Sequence, residues 1–97
     1  MLTLPSTLTH EAAPGFVQTL APLVQAQPGD VVIDAGALRK FDSSALAVLL
    51  ECRRQTLAAG KTFLVRGLPA SLRQLASLYG IAELIPETAA AHTPPAG

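Results

Sequence analysis

Charge is scarce in this chain. Only 14% of its 97 residues are Asp, Glu, Lys or Arg, and the seven acidic residues cancel the seven basic ones. A balanced, sparsely charged surface offers no electrostatic footprint for nucleic acid or an anionic membrane, so neither is expected as a partner. The single cysteine, Cys52, excludes an internal disulfide and leaves no argument for an oxidising compartment. No apolar run approaches the roughly 18 residues that span a bilayer, so direct membrane insertion is not expected. Met1-Leu2-Thr3-Leu4-Pro5 lacks the basic region and apolar segment of a secretory signal, which predicts a cytoplasmic chain.

Catalytic and cofactor patterns are equally thin. Gly60-Lys61-Thr62 ends like a phosphate-binding loop, but Gln55 stands where that loop requires glycine. Its context is also inverted, because Gly-Lys-Thr leads out of a helix pattern into a strand pattern. Ser43, His10 and Asp34 or Asp42 supply the residue types of a triad, yet no Gly-x-Ser-x-Gly elbow surrounds the serine. Scattered acidic residues give no paired-carboxylate site. His10 has no partner at ligand spacing and reads as a surface or capping residue, so no metal or other cofactor is expected. Cys52 reads as a small core residue rather than a nucleophile. These absences point away from an enzyme.

What is present is apolar and periodic. Hydrophobic residues make up 49% of the chain, more than an average soluble domain carries. Apolar surface facing another protein and an Ala-rich composition both account for that excess. Residues 2–8 alternate like a short strand, which Pro5 confines to a sheet edge. Phe16, Val17, Leu20, Leu23 and Val24 fall on one face of a helix over 13–26, with Pro14 in its first turn and Pro22 kinking or shortening it. Gln27-Pro28-Gly29-Asp30 is a turn, and Val31–Ala35 suits a central strand.

A second helix runs over 44–59 and stops at Gly60. At about 100° per residue its inward face is Ala45, Leu46, Leu49, Cys52, Thr56 and Leu57. Ser43, Ala47, Glu51, Arg54 and Ala58 look outward, with Leu50 on the border. Lys61–Val65 is a second strand, and a short helix over 70–79 carries Leu72, Leu75, Ala76 and Tyr79 on one face before Gly80. Ile81–Pro86 suits a last strand or a helical turn, and residues 87–97, rich in Ala and Pro, read as a disordered tail. The alternation predicts one small α/β domain over 1–86, a sheet covered by helices.

Asp42-Ser43-Ser44 stands where a strand pattern gives way to the long helix. The first N–H groups of that helix lack partners, so Asp42, Ser43 or Ser44 can accept from one of them, a cap worth about 1 kcal/mol. The same position leaves a hydroxyl exposed at the positive end of a helix dipole, able to carry a phosphate or meet a partner.

Val31-Val32-Ile33-Asp34, then Phe41-Asp42-Ser43-Ser44-Ala45-Leu46-Ala47-Val48-Leu49-Leu50, then Gly60-Lys61, resembles the STAS domains. These are small α/β domains shared by bacterial anti-sigma-factor antagonists, sulphate transporter tails and a lipid-transport subunit. The likeness covers about residues 5–86 and is most specific at Asp42-Ser43-Ser44, where the antagonists continue with glycine and this chain has Ala45. Leu75 to Pro86 is similar to the end of the STAS subunits of Mla-type phospholipid ABC transporters.

The resemblance implies a small STAS-type α/β fold, a mixed β-sheet with helices packed against it. It further implies a non-enzymatic subunit, without cofactor, that binds the transporter's MlaF-like ATPase in a complex with a permease. Such a subunit lies at the cytoplasmic side of the inner membrane and supports outer-membrane lipid asymmetry. In that family the residue after the aspartate meets the ATPase, which carries over to Ser43 as an interface residue. Ala47, Leu50, Glu51 and Arg54 then extend the partner-binding face, and Asp42 shapes its loop. The alternative within the family is an anti-sigma-factor antagonist switched by a kinase at Ser43, the serine phosphorylated in antagonists.

Overall fold

The computed structural model describes residues 1–87. Among them the order is β1 (Leu2–Thr3), β2 (Thr7–Leu8), α1 (Ala13–Val17), α2 (Leu20–Ala26), β3 (Val31–Asp34), β4 (Lys40–Phe41), α3 (Ser44–Ala58), β5 (Phe63–Arg66) and α4 (Ala70–Leu78), closed by a 3-10 turn at Ala82–Leu84. The main sheet has the order β1-β3-β5, and β2 pairs with β4 alongside it. Every ladder between these strands is parallel, with Leu2 opposite Ile33 and Val31 opposite Phe63, where a mixed sheet was expected. The reason lies in the connections: a chain that leaves a strand through a helical crossover returns running the same way.

Alternation along the strands divides the sheet into two unlike faces. Val31, Ile33, Phe63 and Val65 are at most 4% exposed, whereas Val32, Asp34, Leu64 and Arg66 on the other face are only half-buried. The buried face is covered by α3, which packs on β5 and against both α1 and α2. Strand residues and helix residues thus form one apolar cluster, in which Leu8, Leu20, Ile33, Leu49 and Leu72 are fully enclosed.

Several elements depart from the sequence pattern for identifiable reasons. The helix expected over 13–26 is two helices, broken at Gln18-Thr19 rather than at Pro22. Without an N–H, Pro22 cannot bond the Gln18 carbonyl, and restarting the helix at Leu20 puts Pro22 in a first turn where no such bond is needed. Thr19 closes the first helix by donating its hydroxyl to the Phe16 carbonyl at 2.7 Å. Leu23 faces outward at 39% exposure, and Ala13 takes a core position instead.

On α3, Leu57 is 48% exposed although it was expected on the inward face, and Val48, assigned to neither face, is buried. Contact with α1 widens the buried stripe to include Val48, and Leu57 lies close to the helix end, on the edge of that stripe. Tyr79 is exposed for a similar reason, since it caps α4 immediately before Gly80 turns the chain at a φ of 74°.

Lys61 was expected to open a strand. Instead its ammonium group donates to the carbonyls of Val24 at 2.8 Å, Gln25 at 3.0 Å and Gln27, closing the C-terminal end of α2, and the strand begins at Phe63. At the other end of the domain Val65 donates its N–H to the Pro86 carbonyl at 2.9 Å, and Glu87 forms a parallel bridge with Val65 and an ion pair with Arg73. Glu87, taken as the first residue of the tail, is therefore tied to the domain; the rest of the expected tail lies outside the described residues.

One polar atom inside the core has no partner among the described residues, the Thr56 hydroxyl on α3. A buried hydroxyl without a hydrogen bond destabilises the fold, and valine keeps the same shape without the polar atom. Thr56→Val is expected to raise stability by about 1 kcal/mol, read as a higher urea midpoint with an unchanged slope. A lower midpoint would mean that the hydroxyl is satisfied in solution.

Candidate functional site

Two parallel strands deliver two helices to one end of the domain. Thr7 stands opposite Lys40 and Leu8 opposite Phe41, and the backbone N–H groups of Arg39 and Lys40 both donate to the Ser6 carbonyl, at 2.8 and 2.9 Å. Beyond this short ladder one chain runs on through Thr9-His10 into α1 and the other through Asp42-Ser43 into α3. The starts of α1 and α3 are therefore neighbours in space although they are about 30 residues apart in sequence.

Asp42 joins them. Its Oδ1 accepts the Ser44 N–H at 2.8 Å, and its Oδ2 accepts the His10 N–H at 3.0 Å. The His10 N–H and then the Ser44 N–H hold its carboxyl below the ordinary range, because both bonds favour the charged form. Of the three candidate caps, then, it is Asp42 that serves the helix start. Ser43 is the N-cap residue by position, but its side chain makes no capping bond among the described residues and is exposed.

The expected partner-binding residues lie on one ridge of α3. Ser43, Ala47 and Arg54 are exposed along it, four and then seven residues apart, which puts them on one side of the helix. Leu50 flanks the ridge on one side, half-buried against the core. Glu51 flanks it on the other, accepting from Arg54 Nε at 2.9 Å, from a second Arg54 nitrogen and from Gln55 Nε2 at 2.8 Å. The Arg54 and Gln55 hydrogen bonds bring the Glu51 carboxyl down to about 2 and make this end of the ridge an internally paired, solvated ion pair. Ala45 is buried, so its methyl group adds nothing to the surface presented by Ser43 and Ala47.

The sequence reading missed the contribution of α1. His10, Ala13, Pro14 and Val17 line a shallow groove of about 320 Å³ together with Ser44, Ala47, Val48 and Glu51 of α3. Nothing along the chain announces that these two helices lie side by side, since the register of two-residue strands decides it. Cys52 plays no part in the site: it is fully enclosed, and burial pushes its thiol up to about 12.

The fold and this end of it define a small parallel α/β domain with the start of a helix held by a neighbouring loop and exposed at Ser43. Residues 1–86 match the model of the family described as Mlab, STAS domain, and the chain belongs to the STAS domain family, on its MlaB-like branch. A comparison with curated proteins gives no match. Family membership supports a non-enzymatic STAS protein.

Three outcomes test the geometry. Asp42→Ala lowers the melting temperature and Ser43→Ala leaves it unchanged, because only the carboxylate bridges the two helix starts. In the wild type the Asp42 bonds are fully present above the unfolded carboxyl range and are lost as pH falls through the depressed folded value, so acid below about pH 4 destabilises the wild type more steeply than Asp42→Asn. Cys52 is expected to resist a thiol reagent at pH 8 until the chain is unfolded in denaturant, and rapid labelling of the native protein would contradict its enclosure.

Proposed function

We propose that this STAS domain is a non-catalytic subunit that docks on the ATPase of a phospholipid ABC transporter through the ridge of α3 centred on Ser43. The observation that carries this reading is the division of labour at Asp42-Ser43: the carboxylate supports the helix start, and the serine beside it is exposed with no capping duty. The match over residues 1–86 to the MlaB-like STAS family supports the choice of partner. Ala47, one turn along, has a side chain small enough for a partner surface to approach the helix closely, and Leu50 offers apolar area at the edge of the same face.

In this reading the partner is an MlaF-like ATPase in complex with a permease, and the complex serves outer-membrane lipid asymmetry. No helix among the described residues is long and apolar enough to cross a membrane. The domain is held at the cytoplasmic side of the inner membrane by its contact with the ATPase, and Asp42 acts by keeping the docking surface in place. The second reading within the family, an anti-sigma-factor antagonist, draws on the same exposed hydroxyl. A phosphate on Ser43 would sit at the start of α3, tolerated by the fold, while its charge would repel a close partner.

The deciding experiment titrates the purified transporter ATPase against the wild type and Ser43→Arg. A central contact predicts about a hundredfold loss of affinity, roughly 3 kcal/mol, with an unchanged melting temperature. Undiminished affinity would remove Ser43 from the interface. Incubation with the kinase of an anti-sigma system, followed by intact-mass measurement, distinguishes the antagonist: a single phosphate on Ser43 and loss of an anti-sigma partner would favour that reading.

A further inference from the structure

We infer that the open face of the main sheet is a self-association surface, on which a second copy of this chain packs face to face about a two-fold axis parallel to β3 and β5. The strand order β1-β3-β5 has no reversal, so right-handed crossovers place the helices that connect these strands on one side of the sheet. The segment after β5 stays on that side too, since Glu87 bridges to inward-facing Val65 and its carboxylate holds Arg73 of α4. The opposite face carries Val32 and Asp34 on β3 and Leu64 and Arg66 on β5, all half-buried. A parallel sheet is ordinarily covered on both faces, and here the chain covers only one.

The register identifies the occupant. Val32 stands opposite Leu64 and Asp34 opposite Arg66, so the open face is a two-by-two array with an apolar row and an ionic row. A two-fold axis midway between the two strands lays β3 of one copy over β5 of the other. Val32 then meets the partner's Leu64 and Asp34 meets the partner's Arg66, each contact made twice, as a self-complementary patch requires. Aligned sheets pack about 10 Å apart, a gap that opposed Asp and Arg side chains span.

Both charges are open to such a pairing. Although they are neighbours in register, Asp34 and Arg66 form no ion pair among the described residues. One Asp34 oxygen accepts the Gly36 N–H at 2.9 Å, and the Arg66 guanidinium reaches only the Met1 sulfur, at 4.0 Å. A partner surface of a single sign would set a like charge against one of the two. This chain's own end offers no cover for the apolar row, because residues 88–97 include no Val, Ile, Leu, Met, Phe, Tyr or Trp. The array is small beside the roughly 800 Å² that each partner buries in a standard interface, so the dimer is a weak one. It does not compete with docking on α3, which lies on the other side of the sheet.

Sedimentation velocity from about 10 µM to about 1 mM tests the inference, and the wild type is expected to pass from monomer towards dimer across that range. Asp34→Arg and Arg66→Asp each set like charges against each other and are expected to raise the dissociation constant at least tenfold. An equimolar mixture of the two variants is expected to dimerise again, because each then faces a copy of opposite sign. Leu64→Glu breaks the apolar row away from the Asp34 turn and is expected to remain monomeric, which keeps the test intact should thermal melts show that Asp34→Arg does not fold. A wild type that stays monomeric at the highest concentration overturns the inference, as does a dimer that survives both Arg66→Asp and Leu64→Glu. Two folded, monomeric charge variants that fail to dimerise when mixed would overturn the two-fold register.

Discussion

The Asp42 carboxylate is the joint on which this end of the molecule depends. Its two oxygens accept backbone N–H groups from two different segments, His10 ahead of α1 and Ser44 at the start of α3. A serine cap would have satisfied one helix end; a carboxylate between parallel strands can satisfy one group in each chain. The short β2–β4 ladder brings the segments within reach, and Asp42 carries their pairing past the last strand residue into the helices. Without that joint the walls of the groove would have no common anchor at their open end.

From this follows a separation of duties along three consecutive residues. Asp42 is committed to the backbone, Ser44 is half-buried on the groove wall, and Ser43 between them is exposed. A surface meant for a partner needs atoms that are held in position yet carry no structural duty, and the arrangement here supplies them. Further along α3 the opposite holds: Glu51 and Arg54 are bonded to each other, so their charges are largely matched before any partner arrives. The part of the ridge with unmatched polar capacity is its beginning.

Much of this was legible in the chain. Val31–Asp34, the long helix ending before Gly60 and the outward positions Ser43, Ala47 and Arg54 are local matters of periodicity and capping, and the structure keeps them. The likeness around Asp42-Ser43-Ser44 led to the STAS family, which the match over residues 1–86 establishes. Long-range contacts were not legible. Lys61 reads as the first residue of a strand until the end of α2 is seen above it, and His10 reads as an isolated surface histidine until its N–H is found on Asp42. Leu57 faces outward and Val48 joins the core because a helical wheel shows directions around one axis and says nothing of what stands in each direction.

By itself, then, the sequence determined the alternation of strand and helix, the outward ridge of α3 and the family, all of which depend on residues close together in the chain. The tertiary structure alone decided that α1 and α3 stand side by side, that Asp42 rather than either serine holds the helix start, and that a groove lies beside Ser43. These depend on the parallel register of two-residue strands separated by about thirty residues. Such short strands carry too little pattern to declare their partners, and the position of the groove emerges only when packing has chosen them.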